Sequence, residues 1–90
     1  MIKSFRHRGL KELFDAGSSP LISPNWEKRC LMILDIMNAS VSPQSLDIPG
    51  LRFHALRGKP KRYAVRVTGN WRVTFAWDDG AIDVNLEDYH

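Results

Sequence analysis

Several side chains in this sequence are of types that can together cleave a phosphodiester bond in RNA. They are His54, Arg57, Arg72, Asp88, Tyr89 and His90. Attack by a ribose 2′-hydroxyl on the adjacent phosphate needs one group that accepts the hydroxyl proton and another that donates a proton to the leaving 5′ oxygen. Histidine can do either, because its ordinary pKa is about 6.5. Arginine stays protonated but can hold phosphate oxygens through its planar fork, and a tyrosine ring can stack on an unpaired base.

Each of these residues also has an ordinary interpretation. A single histidine on a strand, such as His54, is more often a packed or surface residue than a catalyst. Arg72 lies between Trp71 and Val73, so alternation turns it away from the core, where an arginine is normally solvated. His7 lies at the start of a predicted helix and is interpreted as structural. Spacing alone does not bring these side chains together, and RNA chemistry is therefore a hypothesis at this point.

Two segments in the first half of the chain have helical periodicity. The first is predicted over His7–Ala16, with Gly17 ending the helix. The second is predicted from Pro24 to about Asn38, with Ser23 as its N-cap and proline at the first helical position. The apolar face of the second helix consists of Trp26, Cys30, Ile33, Leu34 and Met37. A proline-containing loop is predicted to follow, up to Gly50.

After residue 50 the period of the apolar residues changes to two, which predicts strands over residues 51–56, 62–68, 71–77 and 81–86. Gly69-Asn70 and Asp79-Gly80 separate the last three strands and are hairpin signals. The core-facing residues are predicted to be Tyr63, Val65, Val67, Trp71, Val73, Phe75, Trp77, Ile82, Val84 and Leu86. Residues 2–5 can add a short strand. The fold class is therefore α+β, with two N-terminal helices packed on a twisted antiparallel sheet in a single domain, residues 1–90.

Composition limits the cellular setting. The 90 residues include one cysteine, Cys30, so neither an internal disulfide nor a cysteine-based metal site is expected, and a cytoplasmic location fits. The N-terminus is charged and has no apolar stretch of signal-peptide type. The longest apolar run ends at Asp35 and is too short to span a membrane.

Charge is unevenly distributed along the chain. Between Ile48 and Trp77 there is no acidic residue, whereas the same stretch contains seven basic residues: Arg52, Arg57, Lys59, Lys61, Arg62, Arg66 and Arg72. From Asp78 onward there are five acidic residues and no lysine or arginine. A basic stretch of this kind predicts a polyanionic partner such as nucleic acid. The alternative interpretation is a solvated sheet face.

Four segments resemble the HigB toxins of the RelE/ParE superfamily, also called plasmid-maintenance killer proteins. They are "MIKSFRHRGLKELF", "HALRG", "NWRVTFAW" and the terminal "EDYH". The resemblance covers almost the whole chain and loosens between Asp15 and Pro49. It implies two helices on a twisted antiparallel sheet. It also implies a ribosome-dependent endonuclease that cuts mRNA in the A site of the small subunit without a metal or other cofactor. The implied partners are a HigA-like helix-turn-helix antitoxin, the ribosome and mRNA, with operator DNA bound only through the antitoxin.

The resemblance also implies a set of site residues. The catalytic group would be His54, Arg72, Asp88, Tyr89 and His90, and the phosphate-binding group Arg57, Lys59, Lys61, Arg62 and Arg66. The best-known members of the family carry lysine at the position of Arg57. Because arginine does not donate its proton at neutral pH, Arg57 is assigned to phosphate binding. The acid and base roles stay open among His54, Asp88 and His90, with one of the two histidines favoured as the base.

Two other functions are compatible with the same fold. ParE-like relatives poison DNA gyrase and do not cut RNA, and a degenerate relative could survive as a non-toxic DNA-binding partner. His54 together with the terminal Asp-Tyr-His argues against both, because a binding protein has no need of two histidines near phosphate-binding arginines.

Overall fold

The computed structural model describes residues 1–88, and in it two α-helices precede all of the strands. Helix α1 spans Arg8–Ala16 and α2 spans Pro24–Ala39, close to the predicted bounds. His7 is the N-cap of α1, where its Nδ1 accepts a hydrogen bond from the N–H of Leu10 at 3.2 Å. Gly17 ends α1 with a left-handed φ of 86°, as predicted. Neither helix is long and apolar enough to cross a membrane.

Four antiparallel strands follow in the order in which they occur along the chain. They are β1 (His54–Leu56), β2 (Arg62–Thr68), β3 (Trp71–Trp77) and β4 (Ala81–Asp88). The two predicted hairpin turns join β2 to β3 and β3 to β4. The α+β class and the meander are therefore confirmed.

The first strand is shorter than predicted. Arg52 adopts a left-handed φ of 50°, which breaks the extended conformation before His54. Leu51 is turned into the core instead, and its carbonyl oxygen accepts a hydrogen bond from the N–H of Arg66 at 2.7 Å. The loop predicted before this segment contains a short 3₁₀ helix, Pro43–Leu46.

The N-terminal segment pairs with the sheet but does not form a strand. Ile2 and Phe5 make isolated parallel bridges to Ala81 and Val84 of β4. The N–H of Lys3 donates to the carbonyl of Ala81 at 2.7 Å. The edge of β4 that faces away from β3 is thereby partly covered, which protects it against pairing with another chain.

A β-bulge changes which residues of β4 enter the core. The register between β3 and β4 shifts between Thr74 and Ala76, and Asp83 has a left-handed φ of 51°. The extra residue reverses the alternation on the N-terminal side of the bulge. Ala81 is consequently fully buried and Ile82 only half-buried, so the prediction that Ile82 faces the core is wrong.

The core lies between the helices and one face of the sheet. The helices contribute Leu10, Leu13, Cys30, Ile33, Leu34 and Met37, and the sheet contributes Tyr63, Val65, Val67, Val73, Phe75, Ala81, Val84 and Leu86. Trp71 was predicted to be a core residue but is only half-buried, with its ring 5.2 Å from that of Trp26 on α2. Burial raises the pKa of the Cys30 thiol to about 11, so this cysteine stays a neutral core residue.

Candidate active site

The outer face of the sheet, meaning the face opposite the helices, carries most of the predicted site residues that the structure describes. His54 pairs with Ala64, Arg66 pairs with Arg72, and Arg72 pairs in turn with Glu87. The flanking residues of β2 and β3 point into the core, so alternation places His54, Arg66, Arg72 and Glu87 on this outer face.

Arg72 is held at the β2–β3 hairpin. Its Nη1 donates hydrogen bonds to the carbonyl oxygens of Gly69 at 2.8 Å and Trp71 at 3.1 Å. The side chain is half-buried, so it faces away from the core as alternation predicted but is more restrained than a solvated arginine. Arg66 lies directly opposite on β2 and is also half-buried. These paired arginines give this part of the outer face positive charge, and Glu87 pairs with Arg72 on its other side.

His54 is exposed on the edge strand β1, and its Nδ1 lies 3.1 Å from the carbonyl oxygen of Arg52. A carbonyl can only accept, so this hydrogen bond requires the proton on Nδ1 and leaves Nε2 of the neutral ring as a proton acceptor. Two strand spacings and two residues separate His54 from Arg72, which corresponds to about 12 Å between their Cα atoms.

The connection between β1 and β2 carries three further basic residues beside His54. Arg57, Lys59 and Lys61 are all exposed. The ammonium group of Lys61 lies 5.7 Å from the centre of the Tyr63 ring. These three side chains form a basic rim along the connection between β1 and β2, and Lys61 lies on the side of the core-facing Tyr63.

Arg62 differs from the other predicted phosphate-binding residues. It is half-buried, and its Nη2 donates to Thr74 Oγ1 and to the carbonyl oxygen of Asp83, each at 3.0 Å. Thr74 is fully buried although it points away from the helices, and its hydroxyl donates to the Glu87 carboxylate. The middle of the outer face therefore contains a polar network, which differs from the solvated sheet face of the alternative interpretation.

Of the terminal Asp-Tyr-His motif, the structure describes only Asp88. Asp88 is exposed at the end of β4 and pairs with Trp71. The pleat directs successive side chains to opposite faces, so Glu87 shares the face of Arg72 and Asp88 does not. Tyr89 and His90 lie outside the described residues.

Sequence reasoning missed Glu87 and Thr74. Asn85 and Glu87 are two residues apart on β4, which indicates that they share a polar face of the strand. This spacing does not show which residue of β3 contacts Glu87. The hydroxyl of Thr74 could be recognised as part of the site only once the register of three strands was known.

The whole chain is similar to known toxins. Residues 3–90 match the family described as the RelE-like toxin of the type II toxin–antitoxin system HigB. One relative, the endoribonuclease HigB of Proteus vulgaris, is 35% identical over 92 residues, an alignment that covers 100% of both chains. The chain belongs to the family of RelE-like HigB toxins of type II toxin–antitoxin systems. The resemblance found in the sequence is confirmed, and a toxin of such a system has an antitoxin as its partner.

Proposed function

We propose that this protein is an endoribonuclease that cleaves mRNA in the A site of the ribosome and thereby inhibits translation. The observation that carries the proposal is the outer face, where His54 and Arg72 lie on the same side of the sheet at a spacing that leaves room for a nucleotide. The full-length similarity to a relative named as an endoribonuclease supports the same activity.

The proposed reaction is attack of a ribose 2′-oxygen on the adjacent phosphorus with loss of the 5′ oxygen, which leaves a 2′,3′-cyclic phosphate. His54 accepts the 2′-hydroxyl proton at Nε2, because its Nδ1 proton is held by the carbonyl of Arg52. Arg72 and Arg66 stabilise the negative charge that develops on the phosphate. The proton for the leaving oxygen is assigned to His90, with Tyr89 stacking on a base.

The basic rim of Arg57, Lys59 and Lys61 supplies affinity for RNA that does not depend on sequence. Asp88 stays a candidate for one of the two proton-transfer roles. The proposed antitoxin is a HigA-like helix-turn-helix protein, through which alone the toxin would be brought to operator DNA.

The shape of the site supports the proposed dependence on the ribosome. A surface groove of about 450 Å³ lies beside the loop at residues 47–53. Two more, of about 400 and 410 Å³, lie beside α2. His54 instead stands exposed on an edge strand. A substrate on such an open face needs a second surface to hold it in the reactive orientation, and positioning of this kind contributes a large share of catalysis.

The test compares naked mRNA with mRNA on purified ribosomes that have a defined codon in the A site. We expect rapid cleavage only on the ribosome, fragments that end in a 2′,3′-cyclic phosphate, and no cleavage when the scissile nucleotide carries a 2′-deoxyribose. Equal cleavage of naked RNA would refute ribosome dependence. Intact mRNA together with broken DNA in cells, and inhibition of purified gyrase, would support the ParE-like alternative instead.

A further inference from the structure

We propose that Arg62, Thr74 and Glu87 form a positioning network that holds the end of β4, up to the candidate site residue Asp88, in register with Arg72. This inference deepens the proposed function and rests on it. None of the three residues needs to touch RNA in this role. It also reassigns Arg62, whose side chain is engaged within the sheet, from phosphate binding to positioning.

The three side chains form a diagonal line across the outer face. Thr74 pairs with Ala64 on one side and Asn85 on the other, and Arg62 and Glu87 lie two residues from these partners on β2 and β4. Diagonal neighbours of this kind are within reach of long side chains. Nη2 of Arg62 donates to Oγ1 of Thr74 at 3.0 Å, and the same hydroxyl donates to the Glu87 carboxylate.

Thr74 is the centre of this arrangement because its hydroxyl both accepts and donates. Its side chain is 0% exposed, so water does not replace a lost partner easily. A hydrogen bond that ends on a guanidinium or a carboxylate is charge-assisted and stronger than a bond between neutral groups. The guanidinium of Arg62, the hydroxyl of Thr74 and the carboxylate of Glu87 therefore form a chain of hydrogen bonds that strengthen one another and favour one geometry.

The network forms hydrogen bonds to β4 at two positions, Asp83 and Glu87. Arg62 also donates to the carbonyl oxygen of Asp83 at 3.0 Å, within the bulge, and Glu87 lies four residues further along. The bulge gives β4 an irregular backbone, which would otherwise allow the end of the strand to shift relative to β3. Asp88 follows Glu87 directly, so a change in the position of Glu87 also moves Asp88.

The decisive variant is Thr74→Val, which keeps the shape of the side chain and removes the hydroxyl, with Thr74→Ser as the matched control that restores it. At saturating ribosome concentration we expect Thr74→Val to lower the single-turnover cleavage rate at least tenfold. The ribosome concentration at half-maximal rate should stay within twofold of wild type. Thr74→Ser should recover the rate to within threefold.

Arg62→Lys separates positioning from phosphate binding. Lysine keeps the charge, but its ammonium nitrogen ends one atom short of the position of Nη2, which donates both hydrogen bonds, so a positioning role predicts a lower rate with unchanged half-saturation. A higher half-saturating concentration with an unchanged rate would overturn the proposal and return Arg62 to the phosphate-binding group. If Thr74→Val does not fold, Glu87→Ala, which removes the acceptor of the Thr74 hydroxyl, carries the same rate comparison, with Glu87→Gln as the matched control that keeps an accepting oxygen.

Amide hydrogen exchange tests the network without any activity. Residues 84–88 of the Thr74→Val variant should exchange at least tenfold faster than in wild type, with β2 residues 63–67 little changed. Equal exchange and an equal cleavage rate in wild type and Thr74→Val would refute the network while leaving the proposed function intact. If the wild-type protein fails to cut mRNA on programmed ribosomes, the proposed function is refuted. Faster exchange at the end of β4 in the Thr74→Val variant would still support the network in that case.

Discussion

Replacing Arg72 with alanine should separate catalysis from folding. The side chain is half-buried and donates two hydrogen bonds to backbone carbonyls at the hairpin. Each such bond contributes about 0.5–1.5 kcal/mol net, and these carbonyls can be partly resolvated, so the free energy of unfolding should fall by about 1–2 kcal/mol. For a domain of this size that is a decrease in Tm of roughly 4–16 °C.

The expected effect on catalysis is larger. A group that stabilises charge only in the transition state typically contributes about 10²–10³ in rate, or about 3–4 kcal/mol. Even if the wild-type protein has only about 5 kcal/mol of stability, the variant would keep about 3 kcal/mol and be about 99% folded at 25 °C. Loss of folded protein therefore cannot account for a hundredfold loss of activity.

The assay is single-turnover cleavage of mRNA on programmed ribosomes, with a thermal melt of each sample. Arg72→Lys keeps the charge but loses the planar fork, so it should retain an intermediate rate. Lys28→Ala removes one charge from the exposed face of α2 and should leave the rate within twofold of wild type. An Arg72→Ala rate within threefold of wild type would refute the assignment, as would a melt so low that the sample is unfolded at the assay temperature.

Three further predictions follow from the fold. Deleting Tyr89 and His90 should leave a folded protein that still binds its antitoxin but cleaves at least tenfold more slowly; cleavage within twofold of wild type would mean that the terminus has no catalytic role. Phe75→Ala removes a fully buried ring and should cost about 3–5 kcal/mol in urea unfolding, whereas Trp71→Ala at a half-buried position should cost clearly less, and equal losses would contradict the burial difference. Burial lowers the pKa of His7 below its usual 6.5, so the unfolded chain takes up the proton first and stability should fall as the pH is lowered from about 7 through that value. His7→Asn, which retains a capping side chain, should lose this part of the pH dependence in melts between pH 7.5 and 5.5.

The sequence alone determined the elements whose signals are local. Gly17 marks the end of α1 because glycine, which has no side chain, easily adopts the left-handed backbone conformation found there. Ser23-Pro24 marks the start of α2. The Gly69-Asn70 and Asp79-Gly80 turns set the two hairpins, and from them the order of the strands. These features depend on neighbouring residues in the chain, and the family resemblance added the implied site residues.

The tertiary structure decided what depends on the register between strands. The bulge at Asp83 reversed the alternation of β4, which no pattern within that strand could reveal because the pattern assumes an unbroken period of two. In the sequence, Arg62 is one of seven basic residues between Ile48 and Trp77, and nothing distinguishes it from the others. Thr74 and Asp83, which accept hydrogen bonds from Arg62, are 12 and 21 residues away along the chain, and only the pairing of three strands brings them within hydrogen-bonding distance. Periodicity reports which face of an element is apolar, whereas the partner of a polar side chain is set by contacts between elements distant in sequence.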